Sequence, residues 1–546
     1  MPSQTSIYDE LIIDCFAGGG GASTGIELAA GRPVDIAINH DVVAIAMHVA
    51  NHPHTVHYCE NVLDVIPRKV AAGRPVGLLW LSPDCTFFSK ARGGKPIRKE
   101  GEESRSLAWV AVDWAAQVKP RVIILENVEE FQDWGPLDEG IKPIKERAGE
   151  TFDEFVCALR SHGYKVEWRE LRACDYGAPT IRKRLFLVAR CDGSPIAWPA
   201  PTHAAPESEA VMSGGLKPWR TAAEIIDWSL PCPSIFATSE EIWERYGVRS
   251  VRPLADNTLR RIARGVRKFV IDNPDPFIVK AGRGGTVAPN IMPNNTNNVP
   301  TGAADPVPTI TTGNRNFLVA PSLTKYHGAK TPHDMRGQSL ERPLMTADTS
   351  NRYGLVTAFL SKYYGGNYQD NKGNPATDAL NTVTAWDHNA LVTSHLTVFR
   401  NHSDGQGQRR PLNTVMTSSG HFGEVRALLV KYYGQGDGQP VTGPLHTVTA
   451  KDRLGLVTVH GQEYAITDIG LRMLTPRELF NAQGFPPDYK IDTGPDGKPM
   501  PKNKQIARCG NAVPPPFAEA LVRANLPELC GKRIGTMAEL RSEMAW

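Results

Sequence analysis

Through its first 190 residues the chain alternates short apolar runs with amphipathic helical patterns, and this alternation restricts the fold more than any other feature. "LIIDCF" (11–16), "VDIAIN" (34–39), "VGLLWL" (76–81), "RVIILEN" (121–127) and "KRLFLVA" (183–189) read as strands. Between them, "GASTGIELAA", "VVAIAMHVANH", "SLAWVAVDWAAQV" and "TFDEFVCALRSHG" read as helices. Such alternation implies an α/β fold with a mainly parallel sheet and functional residues at the carboxyl ends of the strands.

After about residue 195 the texture changes. "DNTLRRIARGVRKFV" (256–270) is a strongly basic helical segment, and beyond it one unit is copied five times. The copies are "PVPTITTGNRNFLV" (306–319), "PLMTADTSNRYGLV" (343–356), "ALNTVTAWDHNALV" (379–392), "PLNTVMTSSGHFGEV" (411–425) and "PLHTVTAKDRLGLV" (444–457). Their aligned threonines, 309, 346, 382, 414 and 447, are spaced 37, 36, 32 and 33 residues apart. Period-2 stretches joined by Gly, Asn and Asp turns suggest a β-hairpin-like unit, and the abundant Gly and Pro of this half favour strand and turn. From about 468, "LRMLTPRELFNAQGF" and "GNAVPPPFAEALVRANL" return to helix. The expected division is a first part of the α/β domain over 1–195, an inserted β-rich region over 196–467 with five repeats from about 277, and a segment over 468–546 that completes the first domain.

A net charge of +3 neither demands nor excludes a nucleic-acid partner, so any basic surface must be local. The nine cysteines are scattered, without the CxxC or His-rich spacing of a zinc site, and no metal is expected. "MPSQTSIYDE" lacks the basic and apolar regions of a signal peptide, and no run approaches 18 apolar residues. A soluble, reduced, intracellular protein with no membrane partner is the expectation.

Four constellations carry chemistry. "DCFAGGGGASTGIE" (14–27) follows the first strand and opens a helix, where glycines let a ligand approach the backbone and a helix offers unpaired N–H groups. A nucleotide, another nucleoside-bearing cofactor or tight packing alone would fit such a turn. Cys85 in "LSPDCTFFSK" (81–90) sits where a buried strand would end, either as inert core or as a nucleophile. The next strand ends in "LENV", which sets Glu126 and Asn127 at the same edge, an acid beside a thiol. "YGAPTIRKRLFLVA" (176–189) places Arg182 and Arg184 two apart at a strand start, able to give fixed donors to a base oxygen or a phosphate or simply to face solvent.

Together and in this order these pieces resemble the cytosine-5 DNA methyltransferases. The family's Gly-rich opening resembles "DCFAGGGG", its Pro-Cys loop "SPDCTFFS", its Glu-Asn-Val motif "ENVEEF", and its Gln-x-Arg-x-Arg motif "TIRKR" (180–184). Its later motifs resemble "RMLTPRELFNAQGFP" (472–486) and "CGNAVPP" (509–515). The resemblance covers roughly 1–190 and 468–546, and the region between lies where the family carries its variable target-recognition domain.

The resemblance implies a Rossmann-like methyltransferase domain with an inserted, β-rich, repeat-containing target-recognition domain. It implies transfer of a methyl group from S-adenosyl-L-methionine to C5 of a flipped-out cytosine in double-stranded DNA. Cys85 would add to C6, Glu126 would act as the acid at N3 with a pKa raised by burial, Arg184 would bind O2, and Arg182 would orient or bind an anion. For the cofactor, Phe16 would pack on the adenine, while Asp14, Ala17, Gly18, Gly20 and Gly21 would line the turn. Asn39, His40, Asn61 and Ser82 would meet it from neighbouring strand ends, and Asn511 and Val513 would close the pocket. A monomer in a bacterial cytoplasm, bacterial or phage-encoded, with a cognate restriction enzyme as candidate partner, completes the expectation.

This chain departs from the family at four places. Asp84 replaces the usual Pro before the catalytic Cys and Thr86 the Gln after it; a carboxylate there raises the thiol pKa unless it points away. Asn39 stands where an acid on the ribose is expected, with Asp41 two residues on. Asn61 stands where an Asp near the adenine is expected, beside Glu60; an Asn carbonyl still accepts a hydrogen bond. Thr180 replaces the Gln of the arginine motif.

Lys325, Lys362 and Lys431 at repeat tips and the basic segment 256–268 are candidate phosphate contacts, against a reading of the repeats as a plain β array. Three other functions compete: a tRNA cytosine-5 methyltransferase, a catalytically silent DNA-binding module, and an NAD-type oxidoreductase. The last rests on the glycine turn alone.

Overall fold

Val76–Leu81 and Val122–Leu125 are apolar at every position because the sheet they belong to is covered on both faces. The computed structural model describes residues 10–84, 88, 105–138, 142–273, 278–281, 285–287, 290–293, 301–302, 316–325, 358–362, 389–393, 422–424, 456–459, 462–532 and 534–544. Seven strands form the first sheet: β1 (Leu11–Cys15), β2 (Ile36–Ile38), β3 (Val56–Tyr58), β4 (Val76–Leu81), β5 (Val122–Asn127), β6 (Lys165–Arg172) and β7 (Lys183–Arg190). Their spatial order is β3–β2–β1–β4–β5–β7–β6. The first five run parallel, whereas β7 lies antiparallel to both β5 and β6. This is the expected mainly parallel, Rossmann-like sheet.

Successive strand residues point to opposite faces, and the two cores follow that alternation. Ile13, Leu79, Leu125 and Leu187 pack with Trp114, Phe131 and Phe155 on one face. Ile12, Trp80, Ile124 and Phe186 pack with Ile26, Phe517 and Leu521 on the other. The principal helices of the domain are α1 (Gly21–Ala30), α2 (Val42–Asn51), α3 (Val110–Gln117) and α4 (Glu150–Ser161) from the first part. From the C-terminal segment come α5 (Pro476–Ala482), α6 (Lys502–Asn511) and α7 (Pro515–Asn525). Helix α4 shows the expected stripe, with Phe152, Phe155, Val156 and Leu159 buried at positions one, four, five and eight of that stripe.

The C-terminal segment is built into the first sheet's outer layer. Helix α7 lies against α1 so closely that a Cβ on Gly25 would stand 2.2 Å from the Pro515 carbonyl oxygen. Thr475 starts α5 with a reciprocal cap: its hydroxyl accepts from Glu478 N at 3.3 Å while Glu478 Oε2 accepts from Thr475 N at 2.7 Å. Arg472 meets the same carboxylate at 2.8 Å. A third core joins Leu479, Phe480, Phe485 and Tyr489 to Met47 of α2 and to Ile225 and Ile226.

The described strands of the later region form an antiparallel sheet of eight. Its longest pair is β8 (Asn316–Lys325) with β9 (Gln462–Met473), and β9 continues through residue 468 with a bulge at Thr467. Ala358–Lys362, just after one repeat copy, pairs antiparallel with Asn389–Thr393, which takes in the end of the next copy. The aligned threonines and Lys431 lie outside the described residues. The basic segment is a helix over Asp256–Val266 with Ile262 and Val266 buried.

Two strands escape the sequence reading. β3 has three residues, too few for a periodic signal. β6, "KVEWRELR", alternates in character but is dominated by charge, as suits the sheet edge that it forms.

Candidate active site

With β2 on one side of β1 and β4 on the other, the chain reverses its winding between β1 and β4, and a crevice opens at their carboxyl ends. Phe16 leaves β1 with φ 65°, a left-handed conformation uncommon for a bulky residue and typical of functional turns. The Ala17 N–H donates to Ile38 O at 3.1 Å, and Ser82 N–H donates to Cys15 O at 3.3 Å, so β2, β1 and β4 stay joined right up to the crevice. Ser82 also accepts from Trp80 Nε1 at 2.9 Å.

The glycines of the turn divide by what they face. A Cβ on Gly18 would have its nearest neighbour 3.9 Å away, the open side of the turn. On Gly19 it would come within 3.0 Å of Arg508 O, on Gly20 within 2.1 Å of the Tyr489 hydroxyl, and on Gly21 within 1.9 Å of Val513 O. Three of the four glycines thus admit the C-terminal segment, and the tight-packing reading of the turn holds for them. The N–H groups of α1's first turn have no acceptor within the helix, and that of Ser23 turns to the Asp14 carboxylate.

Asn39 and Asp41 take different roles at the end of β2. Asn39 is half-buried, and its Oδ1 accepts from Asp41 N at 2.8 Å. Asp41 caps α2, accepting from Val43 N at 2.8 Å and Ala44 N at 3.3 Å, and it pairs with Arg508. Burial would raise its pKa, but the Arg508 charge and these N–H groups outweigh that and lower it. Asp41 is therefore committed to the helix and to Arg508. His40 and Asn61 are exposed, and Asn61 Oδ1 accepts from Leu63 N at 3.1 Å.

At the end of β5, Glu126 lies buried across from β7. Arg184 Nε stands 3.1 Å from Glu126 Oε1, but the N–H is not aimed at that oxygen and has no aligned acceptor among the described residues. Arg184 Nη1 donates to Lys183 O at 2.7 Å. Arg182 points elsewhere: its Nη1 donates to Gly510 O at 3.0 Å, at the end of α6, where a cation suits the negative end of a helix. Thr180 Oγ1 accepts from Arg182 N at 3.3 Å. Asn511 is exposed, and Val513, whose backbone makes the Gly21 contact, is buried. Pro83 is buried and Asp84 exposed; Cys85 and Thr86 lie outside the described residues. Phe88 packs edge-on against Phe131 and Trp134, with the Arg105 guanidinium 4.8 Å above its ring.

Sequence reasoning missed a buried polar network beneath the glycine turn. Ser23 donates to Asp14 Oδ2 at 2.7 Å, and His48 bridges Ser23 at 2.9 Å and His57 at 2.8 Å. The second oxygen of Asp14 is buried with no side-chain partner among the described residues, and burial pushes its pKa up to about 7 despite hydrogen bonds from the Ser23 hydroxyl and N–H. Burial pulls His48 well below the usual range and His57 down to about 4. Glu27 accepts from His52 Nδ1 at 2.7 Å. His48, His52 and His57 were the available signal, but their 4- and 5-residue spacing becomes informative only once α2 is packed on α1.

A family model for C-5 cytosine-specific DNA methylases matches residues 11–218 and 338–526. Type II methyltransferase M.SacI of Streptomyces achromogenes is 31% identical over 215 residues, 36% of this chain and 52% of that protein. M.XorII of Xanthomonas oryzae pv. oryzae is 31% identical over 207 residues, 36% of this chain and 45% of that one. M.AgeI of Thalassovita gelatinovora is 26% identical over 197 residues, 35% and 42% of the two chains. The chain thus spans about half the length of the curated relatives it matches. The match takes in the glycine turn, the Glu126–Arg184 edge and the segment that packs on both, and the chain belongs to the C-5 cytosine-specific DNA methylase family.

Proposed function

We propose that the chain methylates C5 of a cytosine extruded from duplex DNA, through a transient bond between Cys85 Sγ and cytosine C6. The observation that carries this reading is the Glu126–Arg184 pair: a buried carboxyl and a buried guanidinium at the strand edge beside the chain leading to Cys85, with a guanidinium N–H that has no aligned acceptor among the described residues. A pyrimidine offering N3 and O2 side by side is a partner for a carboxyl and a guanidinium so placed.

The residues of the crevice suit S-adenosylmethionine. Open space at Gly18 and the left-handed Phe16 form a receptive turn. When bound, the cofactor supplies the electrophilic methyl group that C5 takes up.

The chain's own groups perform the rest. Cytosine C5 is a weak nucleophile until C6 is saturated. Attack by the Cys85 thiolate forms the S–C6 bond and drives the C5=C6 electrons toward N3, where Glu126 delivers a proton. Arg184 binds O2 and neutralises charge that develops on the ring. After methylation, a base takes the C5 proton, the C5–H electron pair forms C5=C6 as the thiolate leaves, and N3 returns its proton to Glu126. The target must leave the stack for any of these groups to reach it. The type II names of the relatives add a modification role beside a restriction enzyme to this reading.

The test is to incubate the chain with duplex DNA or tRNA and methyl-labelled S-adenosylmethionine and to identify the product nucleoside by mass spectrometry. 5-Methyldeoxycytidine is expected from the duplex; label in tRNA alone, or in a different base, would contradict the proposal.

A further inference from the structure

Tyr489, His52 and Glu27 are polar, and all three are buried almost completely. Burying polar groups is costly unless their hydrogen bonds are arranged to offset it, and apolar side chains would fill the same volume more cheaply. What these groups hold is the glycine turn. The Tyr489 hydroxyl donates to Gly19 O at 2.8 Å, and Gly20 O accepts from the Thr24 hydroxyl at 2.6 Å as well as from the Thr24 N–H of the first helical turn at 2.8 Å. Each hydroxyl has one proton and uses it on a turn carbonyl, so the oxygens they present to His52 Nε2, each at 3.4 Å, offer lone pairs. His52 is held in turn by Glu27 at 2.7 Å, and Glu27 Oε1 accepts from Val34 N at 3.1 Å. The backbone beside Tyr489 is fixed as well: Asn51 donates to Lys490 O at 2.7 Å and accepts from Lys490 N at 2.8 Å.

Two successive carbonyls drawn inward have one geometric consequence. In a planar trans peptide the N–H points opposite to the C=O, so the N–H groups of Gly20 and Gly21 are turned away from the network. We propose that Tyr489, His52 and Glu27, with Thr24, are positioning residues that hold the glycine turn in its cofactor-receiving shape. The affinity for cofactor thereby reads whether the C-terminal segment is docked. This rests on the cofactor reading given above and adds a residue set that touches no reacting atom.

The full-length chain tests it through Tyr489→Phe and the near-isosteric Thr24→Val, each removing one carbonyl anchor. Binding of S-adenosylhomocysteine is followed by calorimetry, turnover is followed against cofactor concentration, and amide hydrogen exchange is followed across residues 16–24. Each variant is expected to weaken binding roughly fivefold, the worth of one buried hydrogen bond. KM for the cofactor should rise in parallel, kcat at saturating cofactor should stay within about twofold, and the turn's exchange should quicken. His52→Gln should recover affinity that His52→Leu loses. A lower melting temperature with unchanged affinity and exchange would make the network merely structural and overturn the proposal. So would faster exchange with unchanged affinity. If Tyr489→Phe fails to fold, Thr24→Val alone decides. A wild-type chain that binds no S-adenosylhomocysteine would instead overturn the cofactor reading, and the inference with it, before any variant is compared.

Discussion

Arg184 Nε stands 3.1 Å from Glu126 Oε1 across the antiparallel pair β5–β7, and both side chains are 9% exposed. In a parallel continuation of the sheet an arginine at the start of the next strand would lie at the opposite edge. The reversal of β7 is what brings "TIRKR" beside "ENV", although Arg184 lies 58 positions after Glu126 in the chain.

Glu126→Gln keeps the volume and removes the acid. It should lower single-turnover methylation by about 10²–10⁴-fold with duplex affinity retained, as rapid-quench and binding measurements would report. Arg184→Ala leaves Glu126 buried without its cation, and chemical unfolding should record a loss of roughly 3–5 kcal/mol.

Gly18 and Gly25 separate binding from folding. Gly18→Ala meets open space and should leave the urea midpoint unchanged while weakening cofactor binding. Gly25→Ala drives a methyl group into Pro515 O, now 2.2 Å from that position, and should cost about 1–3 kcal/mol or more of stability. Equal effects of the two on stability would count against this division.

Asp14 and His57 act oppositely on stability across the same acid range. The folded pKa of Asp14 lies near 7, above its unfolded value of about 3.9, so its contribution is full below about pH 4 and is lost as pH rises toward 7. His57, depressed to about 4 from about 6.5, contributes stability that is present above pH 6.5 and lost as pH falls toward 4. Asp14→Asn keeps an acceptor for Ser23 and removes the first contribution alone. Its stability relative to wild type should climb between pH 4 and 7 and level off above; a flat difference in urea unfolding across that range would refute the assignment.

Most of the first sheet is legible in the amino-acid sequence. Apolar runs bounded by glycine and amphipathic stripes mark β1, β2, β4, β5, β7 and the helices, because burial on two faces or one writes itself into the residue pattern. The edge strands β3 and β6 are hidden by shortness and by charge. At the site, Glu126 and Arg184 can be named from strand ends and resemblance. Residue spacing cannot divide Arg182 from Arg184, since Gly510 lies 328 residues from the former. Nor can it divide Gly18 from Gly20 and Gly21, since only packing against Tyr489 and Val513 shows which glycines admit protein.

Arg105 offers a further handle. It donates to Gly135 O at 2.8 Å and covers Phe88, which lies three residues beyond Cys85. Arg105→Met removes the charge over the ring, and adduct formation should slow by about two- to thirtyfold, the range of one cation–π contact. An unchanged rate would separate Phe88 from the chemistry.

The proposed chemistry stands or falls on the bond between Cys85 and the target base. That bond is captured by incubating the full-length chain with S-adenosylmethionine and duplexes in which 5-fluorocytosine replaces cytosine, so that the C5 proton needed for release is absent. The expected product is a denaturation-resistant complex whose mass is protein plus DNA plus one methyl group, mapped to the peptide that contains Cys85 and absent in Cys85→Ser. A complex that persists in Cys85→Ser, or a wild-type chain that methylates unmodified duplex yet forms no such complex, would contradict it.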